Sequence, residues 1–121
     1  MELKQLPYVF SVCKITDISQ VDFTKEFVFL SKTDDEISLV CESSYAPLNL
    51  TACEPGWRAL KISGILDFGM IGVIAGISKI AEEVGISIFV ISTYNTDYIL
   101  IKAENFDECV HTLALNGYAI I

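Results

Sequence analysis

The stretch WRALKISGILDFGMIGVIAGISKIAEEVG, residues 57–85, decides the fold. Polarity alternates over residues 57–63, which predicts a strand with two different faces. A turn is predicted at residues 64–69, where glycines begin and end the segment. From Met70 onward the apolar residues recur at the three-and-four spacing of one helical face, and Gly85 is the kind of residue on which helices end. The stretch therefore predicts a strand, a turn and a helix.

The chain after this stretch continues the alternation of elements. Residues 86–92 and 98–102 predict two strands joined by a hairpin loop rich in turn formers. A second helix is predicted from near Asn105, whose side chain would cap it, and residues 118–121 predict a short final strand. Strand, helix, strand, strand, helix, strand is the ferredoxin-like βαββαβ order, an α+β fold with four antiparallel strands and both helices on one face.

The first half is less regular. Three extended runs rich in Val, Ile and Phe are predicted as strands, at residues 8–15, 26–32 and 37–42. The last two form a predicted hairpin through residues 33–36, where Asp side chains favour a reversal. Residues 16–25 support at most a short helix, and residues 43–56 read as a linker with one helical turn around Leu48. This half is predicted to extend the antiparallel sheet.

Composition and charge exclude several classes of function. Apolar residues make up 52% of the chain and the formal net charge is -8, so the chain should fold, and it lacks the clustered cations of a nucleic-acid or anionic-membrane binder. No run reaches the ~18 apolar residues of a membrane span. Residues 6–13 lack a basic leader and a cleavage site, which makes them a poor signal peptide. We therefore predict a soluble, cytoplasmic protein.

Residues that often carry chemistry are present but scattered. The four cysteines, at positions 13, 41, 53 and 109, form no CxxC pair, so they are interpreted as small apolar residues and no metal or cofactor is predicted. His111 is the one histidine and has no recognisable serine, cysteine or carboxylate partner. The sequence therefore predicts a protein that is not an enzyme.

Two segments are candidates for binding. In residues 63–72 the first helical amides lack internal acceptors, which favours an anionic group, and Gly69 and Gly72 permit close backbone approach, although helix–sheet packing explains the glycines equally well. In residues 92–97, Asp97 offers a partner for an ammonium group, although an ordinary hairpin remains the alternative. Together the two loops match the two ends of a free amino acid.

Several segments closely resemble ACT-domain proteins of the cytosolic arginine-sensor type. The resemblance is carried by residues 56–61, 64–68, 85–89 and 92–100 together with Gly72. It implies an ACT domain at residues 56–121, a reduced ACT-like module at residues 1–55, and non-catalytic amino-acid binding at an interface between modules. The ligand-binding residues that it implies are Asp67, Met70, Ile71, Gly72, Thr93, Tyr94 and Asp97.

The length of the chain bears on its assembly. The eukaryotic sensors of this type use four modules, whereas this chain has room for two, so a homodimer or higher homo-oligomer is predicted, with Gly72 and Asp97 meeting across an interface between modules. The function predicted is a regulatory module that senses a free amino acid. A structural or oligomer-forming protein without a ligand is the alternative.

Overall fold

A computed structural model describes residues 1–121 and divides the chain into two compact units. The N-terminal unit is Tyr8–Trp57, and the C-terminal unit combines Met1–Pro7 with Arg58–Ile121. In chain order the strands and helices are β1 Glu2–Gln5, β2 Phe10–Ile15, β3 Phe29–Lys32, β4 Ile37–Glu42, β5 Ala52–Ile62, α1 Val73–Glu83, β6 Phe89–Ser92, β7 Asp97–Lys102, α2 Ala103–Leu115 and β8 Ala119–Ile120.

The N-terminal unit is built from antiparallel pairs. Strand β4 pairs with β3 on one side and with β2 on the other, and β2 also pairs with the first part of β5. A small core of buried residues forms beneath these strands, from Cys13, Ile15, Leu39 and Cys41. The predicted hairpin and the strand at Ile37–Glu42 are confirmed, whereas β2 and β3 begin later than predicted.

The predicted linker at residues 43–56 is partly wrong. Its helical turn is a 3-10 helix at Ser43–Tyr45 rather than around Leu48, and β5 already begins at Ala52. Pro55 is compatible with a strand here because it lies where the register to β2 shifts between Phe10 and Val12, so no regular ladder bond requires its missing N–H.

The C-terminal unit confirms the predicted βαββαβ order and contains one strand that was not predicted. Strand β1 lies between β5 and β8, antiparallel to the first and parallel to the second, so the sheet is mixed rather than wholly antiparallel. Strand β7 pairs with β5 and β6. Both helices pack into one core of eleven buried residues: Leu3, Leu60, Ile62, Ile77, Ala81, Ile86, Ile99, Ile101, Phe106, Cys109 and Leu113.

Several boundaries differ from the prediction for local reasons. Helix α1 starts at Val73 instead of Met70 because Gly72 takes a left-handed conformation with φ +78°. Strand β6 starts late because the Ile86 N–H closes the end of α1 by donating to the Ala81 carbonyl oxygen at 2.9 Å. Helix α2 starts at Ala103, so Asn105 lies inside its first turn and is not the cap.

Candidate functional site

The loop between β5 and α1, residues 63–72, is held by its own hydrogen bonds. The Asp67 carboxylate accepts from the Gly69 N–H at 2.8 Å, and the Asp67 carbonyl oxygen accepts from the Met70 N–H at 3.0 Å. Gly64 and Gly72 both have positive φ, at 85° and 78°, a conformation that other residues rarely adopt. The loop therefore makes two sharp reversals that need glycine.

The N-terminus of α1 offers free backbone donors. Gly72 has no side chain to cap the helix, and the Gly76 N–H is already bonded to the Gly72 carbonyl oxygen at 2.9 Å. The amides of Val73, Ile74 and Ala75 precede this bond and have no acceptor within the helix. The Met70 amide, by contrast, is already engaged by the Asp67 carbonyl oxygen.

The hairpin loop between β6 and β7 is closed by Thr93 and Thr96. The Thr93 N–H and hydroxyl both donate to the Thr96 carbonyl oxygen, at 2.8 and 2.9 Å. The Thr96 hydroxyl donates in turn to the Ile62 carbonyl oxygen at 2.7 Å, and Thr96 is only 4% exposed. This buried hydroxyl anchors the hairpin to the end of β5.

Two further contacts tie the hairpin loop to loop 63–72. The Leu66 N–H donates to the Asn95 carbonyl oxygen at 2.7 Å. The rings of Phe68 and Tyr94 meet edge to face with centroids 5.1 Å apart, a favourable arrangement for aromatic pairs. The two predicted binding segments therefore meet inside one unit.

The space between these segments is an open pocket of about 360 Å³, called the cleft below. Its lining is Leu66, Asp67, Phe68, Met70, Gly72, Val73, Ile74, Ala75 and residues 92–97. Gly72 and Asp97 thus line one cleft within the C-terminal unit, which differs from the prediction that they meet across an interface between modules. The difference arises because long-range hydrogen bonds from Leu66 and Thr96 draw the two loops together.

Of the seven residues predicted to bind a ligand, all but Ile71 line the cleft. Ile71 is 93% exposed and is not among the lining residues. The sequence interpretation did not single out Leu66 or Thr96. It recognised the free amides at the start of the helix but placed them from Met70, whereas the helix begins at Val73. The signal for Thr96 was available, since two threonines three residues apart in a hairpin loop are suited to the bonds described above.

The charge in the cleft is of one sign. Among its lining residues, Asp67 and Asp97 carry carboxylates, and none is Lys, Arg or His. Asp67 is exposed and Asp97 is half-buried at the first position of β7. The side chains of the cleft therefore favour a cationic group, while the helical amides favour an anionic one.

Four large apolar side chains in and beside the two loops are exposed, and two of them, Phe68 and Tyr94, also line the cleft. Phe68 is 75% exposed and Tyr94 81% exposed, and Ile65 and Ile71 are also largely exposed. We call these four residues the apolar rim. Exposed apolar patches of this kind are typical of interaction surfaces in soluble proteins.

Other residues with chemical potential lie outside the cleft. His111 is exposed on α2, and Cys13, Cys41 and Cys109 are buried. Burial raises the pKa of the Cys41 thiol to about 11 and that of Cys109 above its ordinary value, which disfavours the nucleophilic thiolate. No set of three or more His, Cys, Asp or Glu side chains is arranged to hold a metal ion. Neither helix is long and apolar enough to cross a bilayer.

Comparison with known proteins gives consistent results. Residues 52–114 match the sequence profile of the ACT domain. The human cytosolic arginine sensor for mTORC1 subunit 1 is 31% identical over an alignment 101 residues long, which covers 74% of this chain and only 30% of that protein. A solved protein from Agrobacterium tumefaciens is 27% identical with a TM-score of 0.87, covering 99% of this chain and 91% of that one.

A more distant likeness concerns the fold alone. Aspartate kinase from Clostridium acetobutylicum, described as an allosteric enzyme, superposes on 93% of this chain with a TM-score of 0.64 at 12% identity. This chain covers 32% of the kinase. The same arrangement of strands and helices is thus found as part of a much larger enzyme.

Proposed function

The chain belongs to the ACT domain family, and on that premise we propose that it binds one free amino acid in the cleft as a non-catalytic regulatory module. The observation that carries the proposal is the composition of the cleft, in which uncapped helical amides and two carboxylates line a single cavity. Its volume of about 360 Å³ lies within the range of ~300–1,000 Å³ that is usual for small-molecule sites.

The carboxylate of the ligand is assigned to the N-terminus of α1. The amides of Val73, Ile74 and Ala75 are free of intrahelical acceptors, and the helix dipole adds a positive partial charge at the same place. Gly72 supports this assignment, because a Cβ at this position would meet no atom within 4 Å and the backbone is open to a ligand. The alternative that glycine serves tight packing receives no support at this residue.

The ammonium group of the ligand is assigned to Asp97, with Asp67 as the second acidic residue. Half-burial of Asp97 strengthens an ion pair relative to a fully exposed one, since fewer water molecules screen it. Asp67 uses one oxygen, Oδ1, for the Gly69 N–H and retains Oδ2 for a ligand. Tyr94 and Thr93 complete the wall on the hairpin side.

Two carboxylates and no lining cation favour an amino acid with a basic side chain. One carboxylate balances the α-ammonium group and the other balances the positive charge of the side chain. The name of the human relative, an arginine sensor, agrees in ligand class, although this chain spans 30% of that protein. We therefore rank arginine and lysine above neutral and acidic amino acids.

We further propose that two copies of the chain assemble through the apolar rim and that the ligand is enclosed between them. Phe68 and Tyr94 of the rim line the cleft and are largely exposed, so a second copy packed against them would cover exposed apolar surface and the bound ligand together. Ligand occupancy would then be coupled to assembly. The same rim also favours the second candidate function, an oligomer-forming protein that has no ligand.

Thermal unfolding with each of the twenty amino acids tests the proposal. A ligand at about a hundred times its dissociation constant stabilises the folded state by about 2.7 kcal/mol, so arginine or lysine should raise the melting temperature clearly. Agmatine, which lacks the carboxylate of arginine, should have a much smaller effect. If no amino acid changes the melting temperature while light scattering finds a dimer, the oligomer-forming alternative replaces the sensor.

A further inference from the structure

A pair of cysteines lies side by side in the N-terminal unit. Cys13 in β2 and Cys53 in β5 are directly opposed in the antiparallel register, and their Sγ atoms are 3.9 Å apart. Opposed residues of antiparallel strands have Cα atoms ~4.5–5.5 Å apart, which lies within the ~4.4–6.8 Å range of disulfides. Rotation of the two side chains with a small adjustment of the strands would bring the sulfur atoms into bonding distance.

The other two cysteines do not compete for this pairing. Cys41 in β4 is opposed by Ser11, so it lies diagonal to Cys13, at a distance of ~7–8 Å that exceeds the disulfide range. Strand β2 lies between β4, which holds Cys41, and β5, which holds Cys53, so these two cysteines are two strand spacings apart. Cys109 belongs to the core of the C-terminal unit.

The two thiols of the pair differ in access. Cys53 is exposed, whereas Cys13 is 2% exposed and part of the buried core of its unit. Burial, together with the hydrogen bond to Cys53 and the nearby charges of Cys53 and Cys41, raises the pKa of the Cys13 thiol to about 12. A reagent in solution therefore meets Cys53 first, and Cys13 reacts only with a group already attached to its neighbour.

We propose that Cys13 and Cys53 form a reversible oxidation site, in which a low-molecular-weight disulfide such as glutathione disulfide converts the dithiol to a cross-strand disulfide. The Cys53 thiolate attacks one sulfur of the reagent, whose S–S bond breaks and releases one thiol after protonation. Cys13 then loses its proton to solvent and attacks Cys53 Sγ, which releases the second thiol. The protein dithiol is oxidised by two electrons and the reagent is reduced to two thiols.

The test exposes the whole chain to glutathione disulfide, alkylates the remaining thiols and maps the cysteines by mass spectrometry of peptides. We expect a peptide pair joined through Cys13 and Cys53, with a mass lower by two hydrogen atoms than the two reduced peptides, and alkylated Cys41 and Cys109. Treatment with dithiothreitol should remove the link. A link to Cys41, a link between two chains, or glutathione retained on Cys53 in the parent protein would overturn the proposal.

Two variants separate the steps of the reaction. Cys53→Ser replaces an exposed residue and should leave all three remaining thiols reduced after the same treatment. Cys13→Ser should stop the reaction at the mixed disulfide, so that glutathione stays attached to Cys53. If Cys13 of the treated Cys53→Ser protein cannot be alkylated after unfolding, Cys13 has been oxidised without Cys53. The proposed order of the two steps is then wrong.

Discussion

The two hairpins of the molecule have the same turn in different surroundings. In β3–β4 the Thr33 N–H donates to the Glu36 carbonyl oxygen at 2.9 Å, and in β6–β7 the Thr93 N–H donates to the Thr96 carbonyl oxygen at 2.8 Å. The hydroxyl of each threonine donates to the same carbonyl oxygen as its N–H, that of Glu36 or Thr96. The hairpins are therefore locally equivalent, and they lie sixty residues apart in the sequence.

The surroundings differ because the preceding connections differ. The connection before β3, residues 16–28, is half as long as residues 63–88, which hold loop 63–72 and α1 before β6. Glu36 is exposed, whereas Thr96, its equivalent, is buried beneath that loop. A hairpin turn thus becomes part of a candidate site only where a longer connection returns to cover it.

The largest expected effect is a loss of stability in the C-terminal unit. Its core includes helix α1, whereas the N-terminal unit has no α-helix. Ile77 is fully buried in the core of the C-terminal unit, so Ile77→Ala leaves a cavity and should lower the free energy of unfolding by about 2–5 kcal/mol. Lys79→Ala on the exposed side of the same helix is the control. Urea denaturation measures both, and equal costs would mean that α1 does not anchor the unit.

The next effect concerns the ligand. Asp97→Ala should abolish the stabilisation by the bound amino acid, about 2.7 kcal/mol at a hundred times the dissociation constant, because the ammonium partner is lost. The melting temperature without ligand should change by only a few degrees. Asp34→Ala removes an exposed carboxylate from the other hairpin and should preserve the response. An unchanged response in Asp97→Ala would contradict the role given to this carboxylate.

A smaller effect distinguishes the two turns directly. Thr96→Val keeps the shape of the side chain but leaves the buried Ile62 carbonyl oxygen without its donor, which should cost about 1–3 kcal/mol. Glu36→Val at the equivalent exposed position should change the free energy of unfolding by less than about 0.5 kcal/mol. Chemical denaturation of the two variants and the parent makes this comparison. Similar costs at both positions would show that the hairpin is not anchored to the end of β5 through Thr96.

The smallest effect lies in the short connection of the N-terminal unit. Hydrogen bonds from Ser19 to Asp17, and from Thr24 to Asp22, lower the pKa of both carboxyl groups. Their stabilising contribution is present above the ordinary carboxyl pKa and is lost as the pH falls through the lowered one. A pH titration followed by NMR should find the pKa values of Asp17 and Asp22 below the ordinary carboxyl value. Ser19→Ala should raise the pKa of Asp17 and leave that of Asp22 unchanged.

The parts of the fold that the sequence predicted are those with a strong local pattern. The strand Ile37–Glu42 has turn formers before it, and α1 carries an apolar face, so both were recognised. The βαββαβ order follows from such elements, whereas the ACT family follows from the resemblance of residues 56–61, 64–68, 85–89 and 92–100, and both are confirmed. Strand β1 was not predicted, because Leu3 is its only buried residue and its partner strands lie far along the chain.

The candidate site was predicted in its parts but not in its assembly. Residues 63–72 and 92–97 were recognised from glycines and turn formers, which are local signals. Their meeting in one unit depends on the bonds of Leu66 and Thr96 to residues about thirty positions away, and no periodicity reports such bonds. The roles of the individual ligand-binding residues stay predictions.

Strand β1 has a consequence for the order in which the protein is made. It is synthesised before either of its partners, which are the end of β5 and β8, and the residues that it pairs with in β8 lie 117 positions later in the chain. The N-terminal unit, by contrast, is a continuous stretch of chain whose strands find each other over short separations. Contacts between distant residues form slowly, so we expect the N-terminal unit to fold during synthesis. The pairing of β1 with β8 can form only after β8 has been synthesised.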